Sequence, residues 1–560
     1  MKLNFSFFKK LGLATNGPNP LKRLVWLVPV FVGLVFLSSA RGGLFEITKQ
    51  LEIFNTLFKE LSLNYVDETS PAQLMDKAIT GLLEGLDPYT VFWTEQEVSD
   101  ARISKESNFA SLGAGFKQFD GQWFVVAIDQ NGPADKAGLR VGDQLRSING
   151  VGLTQDLDQL SQIVAANTNK QVDLAYERDN KVVQVALTPD KKPETPVLSA
   201  QLLEGSVGYI ALKEFSPTIY KDTKKALFEL KSSGASALIL DLRNNPGGLL
   251  TEAVNLVSLF VPKGTLVTYT QSVVPEYNMS YVTQQLPADL DLPLVVLINA
   301  RSASASEIVS GALQDLDRAV IIGGRSFGKG LVQRPKPLSY GTQLKVTISR
   351  YYTPSGRCIQ ALDYWQRDAE GEPIRTEPEN YNAFKTASGR TVYDGGGILP
   401  DKVFETSSDH TLLSSLLKSR VMLDYGTEFI KTHPFNRLED FVFTAKDFEG
   451  FLDFVAAHPE SIQTVSDGVF SDFALAAEKE GLAPYVDKEL EVMNKSLLRA
   501  KIDLLKSKKE AVKTVLIESL LPRYFYSAGL YTYKTLNDPE IKAGVAILQN
   551  PKAYAKTLKP

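Results

Sequence analysis

The sequence predicts an α+β multidomain chain built around a βαβ-type core. Three observations predict it. The chain has 560 residues, enough for three or four domains at roughly 150 residues each. From about residue 200 to 405, apolar strands alternate with amphipathic helices, the pattern of a sheet covered by helices. On either side the pattern changes, to short β-rich runs over 108–190 and to helical periodicity over 44–107 and 406–560. Composition fits a soluble globular protein, with 44% hydrophobic and 22% charged residues. A formal net charge of −4 gives no global grip on nucleic acid.

Residues 1–43 read as a signal peptide or membrane anchor. Leu24–Leu37 carries no charge, Lys9, Lys10, Lys22 and Arg23 precede it, and the small residues Ser38, Ser39 and Ala40 follow. The expectation is a periplasmic protein, cleaved after the signal or anchored in the inner membrane by residues 24–40. The single cysteine, Cys358, excludes an intramolecular disulfide and a cysteine-based metal cluster.

Over residues 44–107, Phe45, Leu51, Phe54, Leu57, Phe58 and Leu61 recur at helical spacing, and Ser70-Pro71 marks a second helix start. LDPYT (Leu86–Thr90) breaks that helix. In the core, Val207–Leu212, Ala237–Leu242, Leu294–Asn299, Val320–Gly323 and Leu344–Tyr351 read as strands. Tyr220–Lys231, Leu249–Phe260 and Ser306–Gln314 read as helices, and Asp363–Gly397 as a loop or insertion. After a break near Gly481 and Pro484, Leu490–Leu521 reads as one long helix.

Four segments carry chemistry. Leu112-Gly113-Ala114-Gly115-Phe116, followed by GPADKAGLRVGDQLRSING (Gly132–Gly150), resembles a PDZ domain. A glycine-flanked loop there exposes N–H groups to a peptide's terminal carboxylate, and the adjoining strand edge accepts the peptide by β-augmentation. LILDLRNNPGGLL (Leu238–Leu250) runs a buried strand through a Gly-Gly turn into a helix, which is either a plain turn or a donor site for a developing negative charge. VVLINARSASASEIVSGAL (Val295–Leu313) places Ser302, Ser304 and Ser306 at a strand-to-helix turn, as an N-cap cluster or around a nucleophile. GGRSFGKGLVQ (Gly323–Gln333) sets Lys329 between glycines beside Phe327, without the P-loop order.

Together, in this order, the segments resemble the C-terminal processing peptidases, or tail-specific proteases. With LDPYT and GGILPD (Gly396–Asp401), the resemblance covers most of residues 45–405. It implies a crotonase-like or ClpP-like protease core over 200–405, an inserted PDZ domain over 108–190, an N-terminal helical segment over 44–107 and a helical C-terminal region over 406–560. It also implies a Ser-Lys dyad: Ser304 as nucleophile, Lys329 as general base and Gln333 beside it. Ala305 and Gly248, with Gly247 as neighbour, would supply the oxyanion N–H groups, and Leu112–Phe116 the peptide-binding loop. Arg301 departs from the family, which commonly has glycine before SASAS.

The set is chemically coherent. The three histidines, His410, His433 and His458, all lie beyond the core motifs. A neutral lysine does the same work as a histidine base if burial lowers its pKa from about 10.4 to roughly 7–8, a cost of about 4 kcal/mol. Phe327 and the flanking glycines suit such a pocket. The expectation is acyl-enzyme hydrolysis of polypeptides with apolar C-termini, without metal or organic cofactor and without nucleic acid. The helices beyond residue 406 are expected to embrace substrate, dimerise or bind an adaptor. The rival readings are a catalytically silent PDZ scaffold that binds protein C-termini and a hydrolase of small esters or amides.

Overall fold

The computed structural model describes residues 44–98, 109–153, 163–164, 167, 170–190, 195–368, 371–404, 410–459 and 462–560. The chain divides after Leu86 into two compact units. In the first, helix 44–64 is followed by Pro71–Glu84, whose start is capped by Ser70 accepting from the Gln73 N–H, with proline in the first turn as expected.

The second unit is organised by a six-stranded central sheet. Its strands are β1 (Val197–Leu203), β2 (Val207–Leu212), β3 (Ala237–Asp241), β4 (Leu294–Ile298), β5 (Val320–Gly323) and β6 (Lys402–Val403), in the spatial order β6-β5-β4-β3-β2-β1. All neighbours are parallel except β1 with β2. Strands β2 to β5 are buried throughout, which explains their unbroken apolar sequences. The helices α1 (Ile219–Ser232), α2 (Leu250–Val257) and α3 (Ala305–Asp315) connect successive parallel strands.

A sheet whose crossovers all advance one way with one hand receives those helices on one face only. The buried residues divide accordingly. Ile210, Leu238, Leu240, Val296 and Ile321 pack with α1, α2 and α3. Alternate residues Tyr209, Ile239, Val295, Leu297 and Ile322 face the other way, where Ile541 and Leu548 of a C-terminal helix cover them. That helix, α5 (Pro539–Leu548), follows the long α4 (Lys509–Asn537). Gly544 lets it approach closely: a Cβ there would lie 3.0 Å from Ile239 Cδ1.

A second, antiparallel sheet is built from one earlier strand and from segments inserted between strands of the first. Gln343–Tyr352 pairs with Val91–Trp93, Leu266–Gln271 and Leu331–Pro337. The third sheet contains Ala114–Phe119, Gln122–Ile128, Gln144–Ile148, Val172–Arg178 and Lys181–Leu187 in the order expected of successive antiparallel strands, with the short helix Pro133–Lys136 between the glycine turns. Its first strand is an edge. The helices between His410 and Asn537 pack around their own core, centred on Leu416, Phe448, Phe451, Leu516 and Leu521.

Three expectations are revised. The stretch over 363–397 is not merely loop: it forms the hairpins Leu362–Arg367/Pro373–Arg375 and Ala383–Lys385/Thr391–Tyr393. The expected helix Leu490–Leu521 is two helices, Ala483–Ser507 and α4, because the chain turns at Lys508 to bring both Leu505 and Val512 into one core. The expected inner-membrane anchor is corrected as well. Among the described residues no helix is long and apolar enough to cross a membrane. Residues 24–40 lie outside the described residues.

Candidate active site

The carboxyl ends of β3, β4 and β5 are adjacent, with Asp241 level with Leu297 and Ile298 level with Gly323. Crevices outside the carboxyl ends of parallel strands are where open α/β sheets bind ligands. The loops leaving these three strands are the PGG turn, the SASAS turn and the FGKG loop.

Of the three serines, two are consumed by the fold. Ser302 Oγ is buried and donates to Leu242 O at 2.8 Å, and buried Ser306 Oγ donates to Asn245 O at 2.9 Å. Ser304 is only half-buried and caps the start of α3 with φ +53° and ψ −112°. A non-glycine residue in that region is strained, and such strain collects at functional turns. The turn therefore holds Ser304 out while its neighbours fasten the loop beneath it.

The PGG turn presses against it. A Cβ on Gly247 (φ +100°) would fall 2.9 Å from both Ser304 Cβ and Ala305 N. The Gly247 N–H is taken by Asn245 Oδ1 at 2.9 Å, and its carbonyl accepts from Phe215 N at 2.8 Å. Gly248 (φ +141°) has no room for a side chain either, since a Cβ would lie 2.5 Å from Phe215 O. Neither the Gly248 nor the Ala305 N–H donates to any described residue. Two uncommitted N–H groups thus belong to the turns that meet at Ser304, and Gly248, not Gly247, supplies the second.

Lys329 is half-buried, and its ammonium lies 4.1 Å from the centroid of the Tyr89 ring. Burial lowers its pKa first, the Lys345 charge adds to this, and Asp87 and Glu307 oppose it. The structure forms no hydrogen bond between Lys329 Nζ and Ser304 among the described contacts. Phe327, expected to line the lysine pocket, is 44% exposed; the aromatic ring under the ammonium is that of Tyr89. Gln333 is paired across the second sheet with Thr347, next to a register irregularity, and its Nε2 donates to Thr347 Oγ1 at 3.1 Å, not to the lysine. Thr347 Oγ1 donates in turn to Asp87 Oδ1 at 2.9 Å. Asp87 also accepts from the Tyr89 and Thr90 N–H groups, so this carboxylate folds the LDPYT turn that presents Tyr89. Arg301 is exposed.

Sequence reasoning missed the group that joins these loops. Glu307, buried in the first turn of α3, accepts four hydrogen bonds. Oε2 takes the N–H of Ser304 at 2.8 Å and of Lys329 at 3.0 Å; Oε1 takes Ser326 Oγ at 2.6 Å and the Gly328 N–H at 2.7 Å. Burial pushes its pKa up to about 7, against the pull of these donors. Tyr351 OH reinforces the join, lying 2.6 Å from Lys329 O and 3.2 Å from Ser304 O. The spacing Ser304-x-x-Glu307 is the signature of a capping box, the one signal that pointed to this residue.

The peptide-loop candidates sit at the edge of the third sheet. Leu112 and Ala114 are buried, and Gly113 (φ +69°) packs on Pro133, where a Cβ would meet Cδ at 3.0 Å. Gly115 and Phe116 flank a register shift opposite Ala127 and Val125. His433 and His458 belong to the helical C-terminal region, where His433 stacks on Phe429 and His458 lies tilted against Phe454.

Three family descriptions match parts of this chain. Residues 206–364 match peptidase family S41, residues 124–178 match the PDZ domain, and residues 412–548 match a C-terminal helical domain of probable PDZ-proteases. The chain is 32% identical over 354 residues to a carboxy-terminal-processing protease of Bartonella bacilliformis, covering 62% of this chain and 80% of that one. It is 29% identical over 340 residues to a probable CtpA-like serine protease of Staphylococcus aureus, covering 60% and 68%. Among solved structures, a photosystem II D1 C-terminal processing protease is 27% identical, covering 57% of this chain and 85% of that one, with a TM-score of 0.35.

Proposed function

We propose, for a chain that belongs to the carboxy-terminal-processing proteases of peptidase family S41, that it cleaves polypeptides near their C-termini with Ser304 as nucleophile and Lys329 as base. The observation that carries this reading is the pair of uncommitted N–H groups, Gly248 and Ala305, on the two turns that meet at Ser304.

Ser304 Oγ attacks the scissile carbonyl carbon as the neutral Lys329 amine takes its proton. The carbonyl oxygen becomes an oxyanion held by the Gly248 and Ala305 N–H groups. The Lys329 ammonium then returns the proton to the leaving amine, and the acyl-enzyme remains. Water, deprotonated by the same amine, attacks the ester and releases Ser304. The lowering of the Lys329 pKa by burial favours both roles. In the resting arrangement the amine lies over Tyr89; it swings to Ser304 Oγ when substrate fills the crevice. Gln333 acts through Thr347 and Asp87 on the Tyr89 turn. The edge strand Ala114–Phe119 and the loop Leu112–Phe116 hold the substrate's apolar tail and terminal carboxylate.

The test is cleavage of an unfolded protein with an apolar C-terminus by the full chain, beside Ser304→Ala and Lys329→Ala. Both variants are expected to fold and to be inactive, and amidation of the substrate's C-terminus is expected to slow the parent. Tight tail binding without cleavage would instead support a scaffold.

A further inference from the structure

The chain returns to the catalytic end of the sheet after leaving the helical region. Asp538 caps α5, its Oδ1 accepting the Glu540 and Ile541 N–H groups at 2.9 and 3.0 Å. Its other oxygen accepts from Arg243 Nη1 at 2.7 Å, and Glu540 Oε2 accepts from the same nitrogen at 2.7 Å. The remaining edge of the guanidinium is held by Asp241, through Nε at 3.0 Å and Nη2 at 2.6 Å, and Tyr209 OH also donates to Asp241 at 2.7 Å. The side chains are nearly enclosed, at 11% exposure for Arg243, 16% for Asp538 and 11% for Glu540. One buried cation is shared by three carboxylates.

Stability alone does not explain this arrangement, since a buried ion cluster rarely outperforms apolar packing and surplus charge is costly. Its position does. Arg243 begins the turn that runs through Asn244 (φ +61°), Asn245 and Pro246 to Gly247 and Gly248. Asn245 then ties that turn to the serine loop, its carbonyl accepting from Ala303 N at 3.1 Å and Ser306 Oγ at 2.9 Å.

We infer that Asp538 and Glu540 are positioning residues for the oxyanion turn, acting through Arg243. The C-terminal segment, far beyond the S41 match that ends at residue 364, thereby completes the catalytic centre. This rests on the reading of Ser304 and Gly248 given above.

The test uses the full chain with Asp538→Asn, Glu540→Gln, the double variant and an exposed control, Lys542→Ala. Asparagine keeps the capping oxygen and removes the charge, so Asp538→Asn separates turn positioning from helix capping. The double variant is expected to lose about tenfold or more in kcat, part of what a missing oxyanion donor costs. KM should stay within about twofold, as for an interaction made only in the transition state, with the thermal midpoint and the control unchanged. If the double variant does not fold, Asp538→Asn alone decides by the same criteria. Unchanged kcat beside an inactive Ser304→Ala overturns the inference alone, as does a loss that merely tracks loss of folded protein. Cleavage that survives Ser304→Ala overturns the site reading, and the inference with it.

Discussion

Replacing Glu307 by glutamine should separate stability from activity. Glutamine is a neutral isostere of the protonated acid. Raising a carboxyl from its ordinary 4.5 to about 7 corresponds to about 3 kcal/mol spent on burying the charge, at roughly 1.4 kcal/mol per pH unit. Because the folded pKa is raised, stability is fullest below 4.5 and declines as the pH rises through about 7. At pH 8, where the parent carries the whole cost, Glu307→Gln removes it. Against that, the four partners are all donors, and the new NH2 group must face two of them. One backbone N–H left without an acceptor costs about 1–3 kcal/mol. The two effects nearly cancel, so the thermal midpoint at pH 8 should be unchanged or slightly raised. Activity should not be spared. The same contacts hold the Ser304 and Lys329 turns together, and a misplacement of about 1 Å costs on the order of 100-fold. The assay is steady-state cleavage at pH 8 beside thermal unfolding at pH 5 and pH 8. A kcat within about twofold of the parent would refute the reasoning, as would a loss matched by collapse of the midpoint.

Further outcomes follow from the same contacts. Tyr89→Leu removes the ring that favours the Lys329 ammonium; a loss of about 0.5–1 kcal/mol should move the acid limb of the kcat/KM profile to lower pH, and a move upward would contradict the assignment. Gly248→Ala, at φ +141° with a Cβ 2.5 Å from Phe215 O, should cost at least about 100-fold in kcat, measured with a peptide substrate. Arg357 is fully buried against Asp315 at 2.7 Å, and Arg357→Met, which strands that carboxylate, should destabilise by about 3–5 kcal/mol in urea unfolding at neutral pH.

What was legible in the sequence was local. Unbroken apolar runs mark β3 and β4, and the change of composition after each marks the turn that follows. Residue types alone leave the three serines unranked; the family resemblance singles out Ser304, and burial adds that Ser302 and Ser306 are committed to backbone carbonyls. In sequence Tyr89 and Asp87 belong to a helix break, and nothing local connects them to a lysine over two hundred residues away. Phe327, two residues from Lys329, is exposed, so adjacency in the chain does not make its ring an enclosing wall. The covering of the back of the central sheet by Ile541 and Leu548 was hidden for a topological reason. One-way crossovers announce that a bare face needs cover, but not which helix provides it.

The central claim is that Ser304 is the nucleophile and that Lys329 activates it. The most direct measurement is mass spectrometry of the full chain after reaction with a fluorophosphonate, which traps a nucleophilic serine as a stable adduct. One adduct is expected, on Ser304, formed faster as the pH rises through the lowered Lys329 pKa and lost in Lys329→Ala. An adduct on Ser302 or Ser306, or labelling of Ser304 at an undiminished rate in Lys329→Ala, would contradict it.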